Sequence, residues 1–276
     1  MQSLPRTGTP VVSFLSDYGH ADEFVGVCHA VMARIEPSIR VIDITHEIPP
    51  HDVRAGALTL ARAVQYLPDG VVLAVVDPGV GTDRRAIAVE VEGGFLVGPD
   101  NGLLAPAVAM VGGARAAVEL TSEAHRLPAP GPTFDGRDVF APAAAHLASG
   151  VPLADLGHAV DPMSLQPGIV PLTHVADGGV QGEVLWVDRF GNAQLNIDPA
   201  ELSGIGAAPG APLELQIGDD RRIVRWVRAY GEGKEGELVV LVDSYGLVSV
   251  AVTRGSAADD AGLAATRSVT LRLPGD

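Results

Sequence analysis

A chain of 276 residues with 47% apolar content has material for a sizeable core, and no stretch approaches the ~18 uninterrupted apolar residues that would mark a membrane span. The formal net charge of −15, with acidic and basic residues interspersed, argues against nucleic acid as the main partner, because phosphate binding wants a basic face. The opening "MQSLPRTGTP" lacks the apolar core of a signal peptide, and a lone cysteine, Cys28, excludes an internal disulfide; both lead us to expect a cytoplasmic protein.

Strand and helix signals alternate through the first half. "VVSFLS" (11–16) reads as a buried strand, and Phe24, Val27, Cys28, Val31 and Ile35 then fall at helical spacing, with Cys28 as a small buried residue. "RVIDI" (40–44) is a second strand. Val53, Ala57, Leu60, Ala61, Val64 and Leu67 mark a second helix, stopped by Pro68 and Gly70. "VVLAVV" (71–76) is a third strand, and "AIAVEV" with "FLVG" form a hairpin around Gly93-Gly94. An Ala-rich helix covers 139–147. Repeated β-α-β order predicts an α/β domain with a mostly parallel sheet, helices on both faces, and a ligand at the strands' carboxyl ends.

Beyond about residue 165 the texture changes. "MSLQPGIVPLTHVADGG" reads as a linker, and seven short β-type runs follow without convincing amphipathic helices. We expect an α/β domain over 1–170 and an all-β, barrel-like domain over 171–276.

Carboxylates cluster where ligands belong. Asp17 sits just past the first strand, placed to accept from a ribose diol or to order the turn. Asp22 either pairs with an ammonium group or caps the first helix. Asp52 is a plausible N-cap for the second helix. In "DITHEIPPHD", His46, Glu47 and His51 do not form a metalloprotease helix, since the spacing is wrong and Pro49-Pro50 forbid the helix. "VVDPGVGTDRR" lacks the third glycine of a dinucleotide fingerprint and the lysine of a P-loop. Asp77 and Arg84 look instead like a charge pair across a tight turn at the sheet edge. "GPDNGLL" is a polar turn leading into a helix. In "TFDGRDVFAP", Asp135, Arg137 and Asp138 precede the Ala-rich helix, which Asp138 is placed to cap. "VDRFGNAQLNI" and "VDSYGLVSVAV" share one layout, and Phe190, Asn192, Ser244 and Tyr245 offer aromatic faces and polar groups of the kind that read an adenine.

"FLSDYG", "DITHEIPP", "DVRAGA", "VDPGVGTDRRAIAV", "GPDNGLL", "GRDVFAPAAAHLA", "DRFGN" and "DSYGLVSVAV" occur in that order. Together they resemble the S-adenosyl-L-methionine hydroxide adenosyltransferases, relatives of fluorinase and chlorinase enzymes, over nearly the whole chain. The resemblance implies hydrolysis of S-adenosyl-L-methionine to adenosine and methionine, with no cofactor and no metal. It also implies a homotrimer whose sites lie between the N-domain of one subunit and the C-domain of the next. It would give Asp17 the ribose hydroxyls, Asp22 the methionine ammonium, and Asn192 the adenine with Phe190 beside it. Ser244 would take the methionine carboxylate, and Asp77 with Arg84 would activate water. Two departures stand out. The family's hydrolases usually carry histidine where this chain has Asp135, and relatives often place an aromatic ring near the ribose where this chain has His51. Asp77 argues against a halide-using transferase, since a halide site avoids a facing carboxylate. The Asp77/Arg84 pair argues against a non-catalytic S-adenosylmethionine or adenosine binder, which does not need it.

Overall fold

The structure, a computed structural model, describes residues 9–176 and 178–275, so most of "MQSLPRTGTP" lies outside the described residues. The chain divides into two compact units, the first ending at Ile169 and the second starting at Val170. Among the described residues, no helix is long and apolar enough to cross a membrane.

The first unit runs β1 (Val11–Ser16), α1 (Phe24–Ile35), β2 (Arg40–Thr45), α2 (Val53–Val64), β3 (Gly70–Val75), β4 (Ala86–Val91), β5 (Gly94–Pro99), α3 (Ala105–Met110), β6 (Ala116–Glu119), α4 (Ala141–Ala148) and β7 (His158–Val160). Its sheet has the order β2-β1-β3-β5-β4-β6-β7. The block β2-β1-β3-β5 is parallel, whereas β4, β6 and β7 pair antiparallel. The expected hairpin around Gly93-Gly94 is the β4–β5 pair. Both sheet faces are buried, and the strand sequences show why. Val12, Phe14, Val71, Leu73 and Val75 point to the face covered by α1 and α4. Leu15, Val72, Ala74 and Val76 point to the other, with Leu60 and Val64 of α2 and Ala107 of α3. A period of two with apolar residues at every position is the signature of a strand buried on both sides. Cys28 is buried in the first of these layers, as expected. Asp52 caps α2, accepting from Ala55 N–H at 2.8 Å.

The Ala-rich helix differs from expectation at its start. It opens with a π-helical turn, Gly136–Phe140, before α4 begins. Pro142 has no N–H to give the Asp138 carbonyl, and Leu127 N–H takes that oxygen instead at 2.9 Å. The ladder slips by one residue, so that Ala141 N–H bonds the Gly136 carbonyl.

The second unit runs β8 (His174–Ala176), β9 (Gly179–Val187), β10 (Ala193–Leu195), α5 (Pro199–Gly204), β11 (Pro212–Ile217), β12 (Asp220–Trp226), β13 (Leu238–Val242), β14 (Val248–Val252), α6 (Ala257–Ala261) and β15 (Ser268–Arg272). Because β10 pairs with both β14 and β9, the ring β10-β14-β13-β12-β11-β15-β9 closes into a seven-stranded barrel, with β8 added on β9. Its interior is filled by alternate residues such as Val180, Leu213, Leu215, Val250 and Leu271. Three short elements depart from the sequence reading. β8 lies inside the expected linker. α5 and α6 are stabilised by caps and are too short to show a period: Asp198 and Glu201 form a capping box around α5, and Ser256 accepts from Asp259 N–H ahead of α6.

Candidate active site

The loops at the carboxyl ends of β1 and β3 and the loop before the π-helical turn surround a cleft of about 590 Å³ in the first unit. Asp17, Tyr18, His51, Asp77, Phe134 and Asp135 line it. A cleft of this size suits a small-molecule ligand, and it sits where open α/β sheets bind theirs.

Asp77 lies two residues past β3, on a turn closed by Val80 N–H to the Asp77 carbonyl (3.2 Å) and Thr82 N–H to the Gly79 carbonyl (3.1 Å). The second glycine of "DPGVG" is required here. Gly81 has φ +78°, and a Cβ would come within 2.7 Å of the Pro132 carbonyl. That close approach seats the Asp77 turn against the loop carrying Asp135. The turn brings Arg84 back over Asp77: its Nε lies 3.0 Å from each carboxylate oxygen, and its Nη2 lies 2.5 Å from Oδ2. The same Nη2 donates to Asp135 Oδ2, from a residue 51 positions on. The guanidinium also stacks over the Phe140 ring, 5.2 Å from its centroid. All three side chains are largely buried, with exposures of 6% for Asp77, 13% for Arg84 and 18% for Asp135. Burial works to lower the Arg84 pKa, but the bonds and charges of Asp77 and Asp135 outweigh it, and the guanidinium is pushed above its ordinary range.

Asp17 accepts from His51 N–H through Oδ2 at 2.9 Å, and His51 itself adopts φ +67°. One carboxylate oxygen thus fixes the turn that carries His51 into the cleft. Asp22 is exposed and is not among the residues lining the cleft. It does not cap α1 either, because the N-cap position is Glu23, which makes no side-chain cap bond. Asp138 does not cap α4. It is buried within the π-helical turn and paired with Arg137, whose Nε and Nη2 lie 2.6 and 2.8 Å from its oxygens. Arg84 is the arginine that stands between Asp77 and Asp135.

The sequence reading missed an aromatic wall. Tyr18, Phe24 and Phe134 meet edge to face, with centroids 5.1 to 5.8 Å apart. Phe24 looked like part of the core stripe of α1, yet it is 37% exposed and lines the cleft. Burial, and after it the charges of Cys28, Asp17, Asp77 and Asp135, push the Tyr18 phenol well above its ordinary pKa, so it stays protonated as a donor.

Phe190, Asn192, Ser244 and Tyr245 belong to the barrel. Two aspartates shape their hairpins. Asp188 accepts from Phe190 N–H, Asn192 N–H and the Asn192 side-chain amide at 2.8, 2.9 and 2.8 Å. Asp243 accepts from Tyr245 N–H at 2.8 Å, and its other oxygen takes the Gln194 amide at 2.6 Å and the Ser249 hydroxyl at 2.8 Å. The Gln194 bond ties the two hairpins to one end of the barrel. There Phe190 is 77% exposed, Tyr245 42% exposed, and Ser244 exposed. The shared "VD" before each polar loop was the available signal for both anchors. "GPDNGLL" is a turn leading into a helix, as expected: Asp100 is buried against Arg85 at 2.5 Å and α3 follows.

The family models for the SAM hydroxide adenosyltransferase N-terminal and C-terminal domains match residues 12–157 and 182–270, and the chain belongs to that family. It is 53% identical, over 91% of this chain and 93% of the relative, to a protein of Salinispora tropica named (R)-S-adenosyl-L-methionine hydrolase. A fluorinase of an Actinoplanes species is more distant, at 28% identity over 90% of this chain and 92% of the relative. A crystal structure of an uncharacterized conserved protein from Thermotoga maritima superposes with a TM-score of 0.88 at 34% identity, covering 95% of this chain and 99% of that one.

Proposed function

We propose that this protein hydrolyses S-adenosyl-L-methionine, with water attacking ribose C5′ to give adenosine and L-methionine. The observation that carries the reading is the Asp77–Arg84–Asp135 bridge at the cleft. One guanidinium between two carboxylates leaves one negative charge in excess, fixed in place and able to polarise a water. The substrate's sulfonium has already activated the neighbouring carbon. The C5′–S bond breaks as the C5′–O bond forms, methionine leaves as a neutral thioether, and no acid is needed at the leaving group. The requirement is a water held in line, about 3–3.5 Å from C5′. Its proton passes to a carboxylate and then to solvent, and a placed base contributes roughly 10²–10⁴-fold. In this reading Asp77 accepts the proton, while Arg84 orients Asp77 and, through it, the water. Asp135 holds Arg84 from the far side and shares the charge.

Asp17 keeps an oxygen for the ribose hydroxyls beside His51, and Asp22 meets the methionine ammonium. Asn192, Phe190 and Tyr245 serve the adenine, and Ser244 serves the methionine carboxylate. Because these groups are divided between the two units, we read the working form as a homotrimer in which the barrel of one subunit completes the cleft of its neighbour. The reading needs no cofactor or metal in the chemistry and takes the cytoplasm as the compartment.

Incubation with S-adenosyl-L-methionine in ¹⁸O-water tests it, and the label is expected in the 5′-hydroxyl of adenosine. Unlabelled adenosine, or 5′-chloroadenosine formed readily in chloride, overturns it. The same assay run separately with the two sulfonium epimers asks whether the (R) form in the Salinispora relative's name is also the one turned over here.

A further inference from the structure

We propose that His29, Asp43 and His46 form a binding site for one zinc-class divalent metal ion, apart from the carboxylate bridge of the cleft. Among the described residues, their ligand atoms all lie within 4.8 Å of one another. The topology makes the cluster. Asp43 is on β2, His46 directly follows that strand, and His29 comes from α1. His29 Nε2 and His46 Nε2 approach the same oxygen, Asp43 Oδ1, at 2.9 and 3.0 Å. The sequence reading excluded a metalloprotease helix through His46 and His51 and did not link His46 with His29, which stands 17 positions earlier on a helix.

Two features point to a ligand and not to a chance contact. First, His46 is fully buried, and its Nε2, although 3.0 Å from Asp43, makes no aligned hydrogen bond among the described residues. A buried polar nitrogen without a well-aligned hydrogen bond is costly, and a cation in the gap would give it a better-directed partner. Second, the other ring nitrogen is already positioned. Nδ1 lies 2.7 Å from the Ser16 hydroxyl, which also accepts from Tyr18 N–H at 3.3 Å. In the tautomer that donates Nδ1–H to Ser16, the Nε2 lone pair faces the cluster, and this is the outer-sphere arrangement that orients a metal-binding histidine.

Two imidazoles and one carboxylate are the donor set of open zinc sites, whose fourth position belongs to water. Tetrahedral bonds of ~2.0–2.1 Å set ligand atoms roughly 3.3 Å apart, so the two contacts on Asp43, at 2.9 and 3.0 Å, would widen slightly. His29 and Asp43 have that freedom, with side chains 34% and 40% exposed, and they leave the entry path open. The ion would brace the segment carrying Asp17, because Ser16 precedes it and the His46 carbonyl accepts from Gly19 N–H at 2.7 Å.

Zinc bound to the full chain, after chelator treatment and dialysis, tests the site by equilibrium dialysis with elemental analysis. Cobalt(II) absorption serves as the report on geometry. One zinc per chain is expected. His29→Ala and Asp43→Asn should each weaken binding by about 10-fold or more, as loss of even an outer partner does, while His125→Ala should leave it unchanged. Both affected positions are partly exposed, and circular dichroism confirms that the variants fold. The inference is overturned if wild-type retains no zinc, or if either variant binds within 10-fold of wild-type. None of these readouts depends on adenosine formation.

Discussion

Arg84 and Asp135, 51 positions apart, meet through a single nitrogen, and that nitrogen also holds Asp77. Removing the Asp135 charge should therefore disturb Asp77 through the guanidinium without emptying the cleft. Asp135→Asn is expected to lower kcat by ~10-fold or more, on the scale of a lost base or its partner, with little change in KM. Steady-state kinetics across about pH 6–9 check this. Wild-type kcat throughout would make Asp135 a structural brace and leave Asp77 working with Arg84 alone.

Taking the cation away should be worse. In Arg84→Met two carboxylates share a largely buried space with no positive charge between them, so one must hold a proton more tightly. The acid limb of the pH–rate profile should move to higher pH, and the protein should lose up to ~3 kcal/mol in urea unfolding, the lower end for breaking a buried pair because Asp135 still reaches solvent. Arg84→Lys keeps the charge but loses the fork, so it should recover the stability more than the rate. An unshifted acid limb in Arg84→Met would rule out the bridge as the titrating unit.

The legible part of this site is the part written in consecutive residues. Asp77, the tight turn and Arg84 lie within one motif, and a strand end places them almost by itself. What brings Asp135 to Arg84 is not local. It takes the Gly81–Pro132 approach and a helix that starts as a π-helical turn because Pro142 cannot donate, and no periodicity announces either. Fold class was readable for the same reason that the aromatic wall was not. Runs such as 71–76 are apolar at every position, which means burial on both faces. Phe24 fits the α1 stripe equally well whether it faces the core or the cleft. In the barrel, strands with period two showed clearly, while α5 and α6, short and held at their starts by caps, carried no period to find.

Asp17 holds His51 through Oδ2, and among the described residues its other oxygen is left for a ligand. Asp17→Asn preserves an acceptor for His51 N–H and removes the charge. A hydrogen bond to a charged group is worth ~1.5–3 kcal/mol, so KM should rise by roughly 10- to 100-fold while the melting temperature stays near wild-type. A fall in melting temperature with unchanged KM would make turn-building its sole task.

Stability should decline on mild acidification. Burial holds His46 and His146 below the ordinary histidine pKa, with nearby His125 adding to the effect at His146. Such groups bind fewer protons folded than unfolded, so stability rises with pH between the folded value and the unfolded ~6.5. As pH falls below about 6.5, the unfolded chain takes up protons that the folded rings refuse, and the melting temperature should drop. His146 is the cleaner test, since its ring meets His125 at 4.8 Å and no carboxylate is among the causes of its shift. In His146→Gln the slope of melting temperature between about pH 7.5 and 5.5 should be shallower. An identical slope would remove His146 from the account.

Gly136 opens the π-helical turn beneath the aromatic wall, and a Cβ there would overlap the Tyr18 hydroxyl and come within 3.2 Å of the Phe134 ring. Neither neighbour can give way cheaply. Tyr18 is wedged between Phe24 and Phe134, and Phe134 carries the Arg137 guanidinium 5.1 Å from its centroid. Gly136→Ala should therefore cost about 1–3 kcal/mol, the usual range for overpacking, and should lower kcat by moving the backbone next to Asp135. Gly131, in the same loop, has nothing within 4 Å of its Cβ position. Gly131→Ala should stay within about 0.5 kcal/mol of wild-type, and it controls for the loss of glycine itself. Urea unfolding and steady-state kinetics on the two variants decide the matter. Equal behaviour of the two alanines would mean that Tyr18 moves freely and that the wall does not set the position of Asp135.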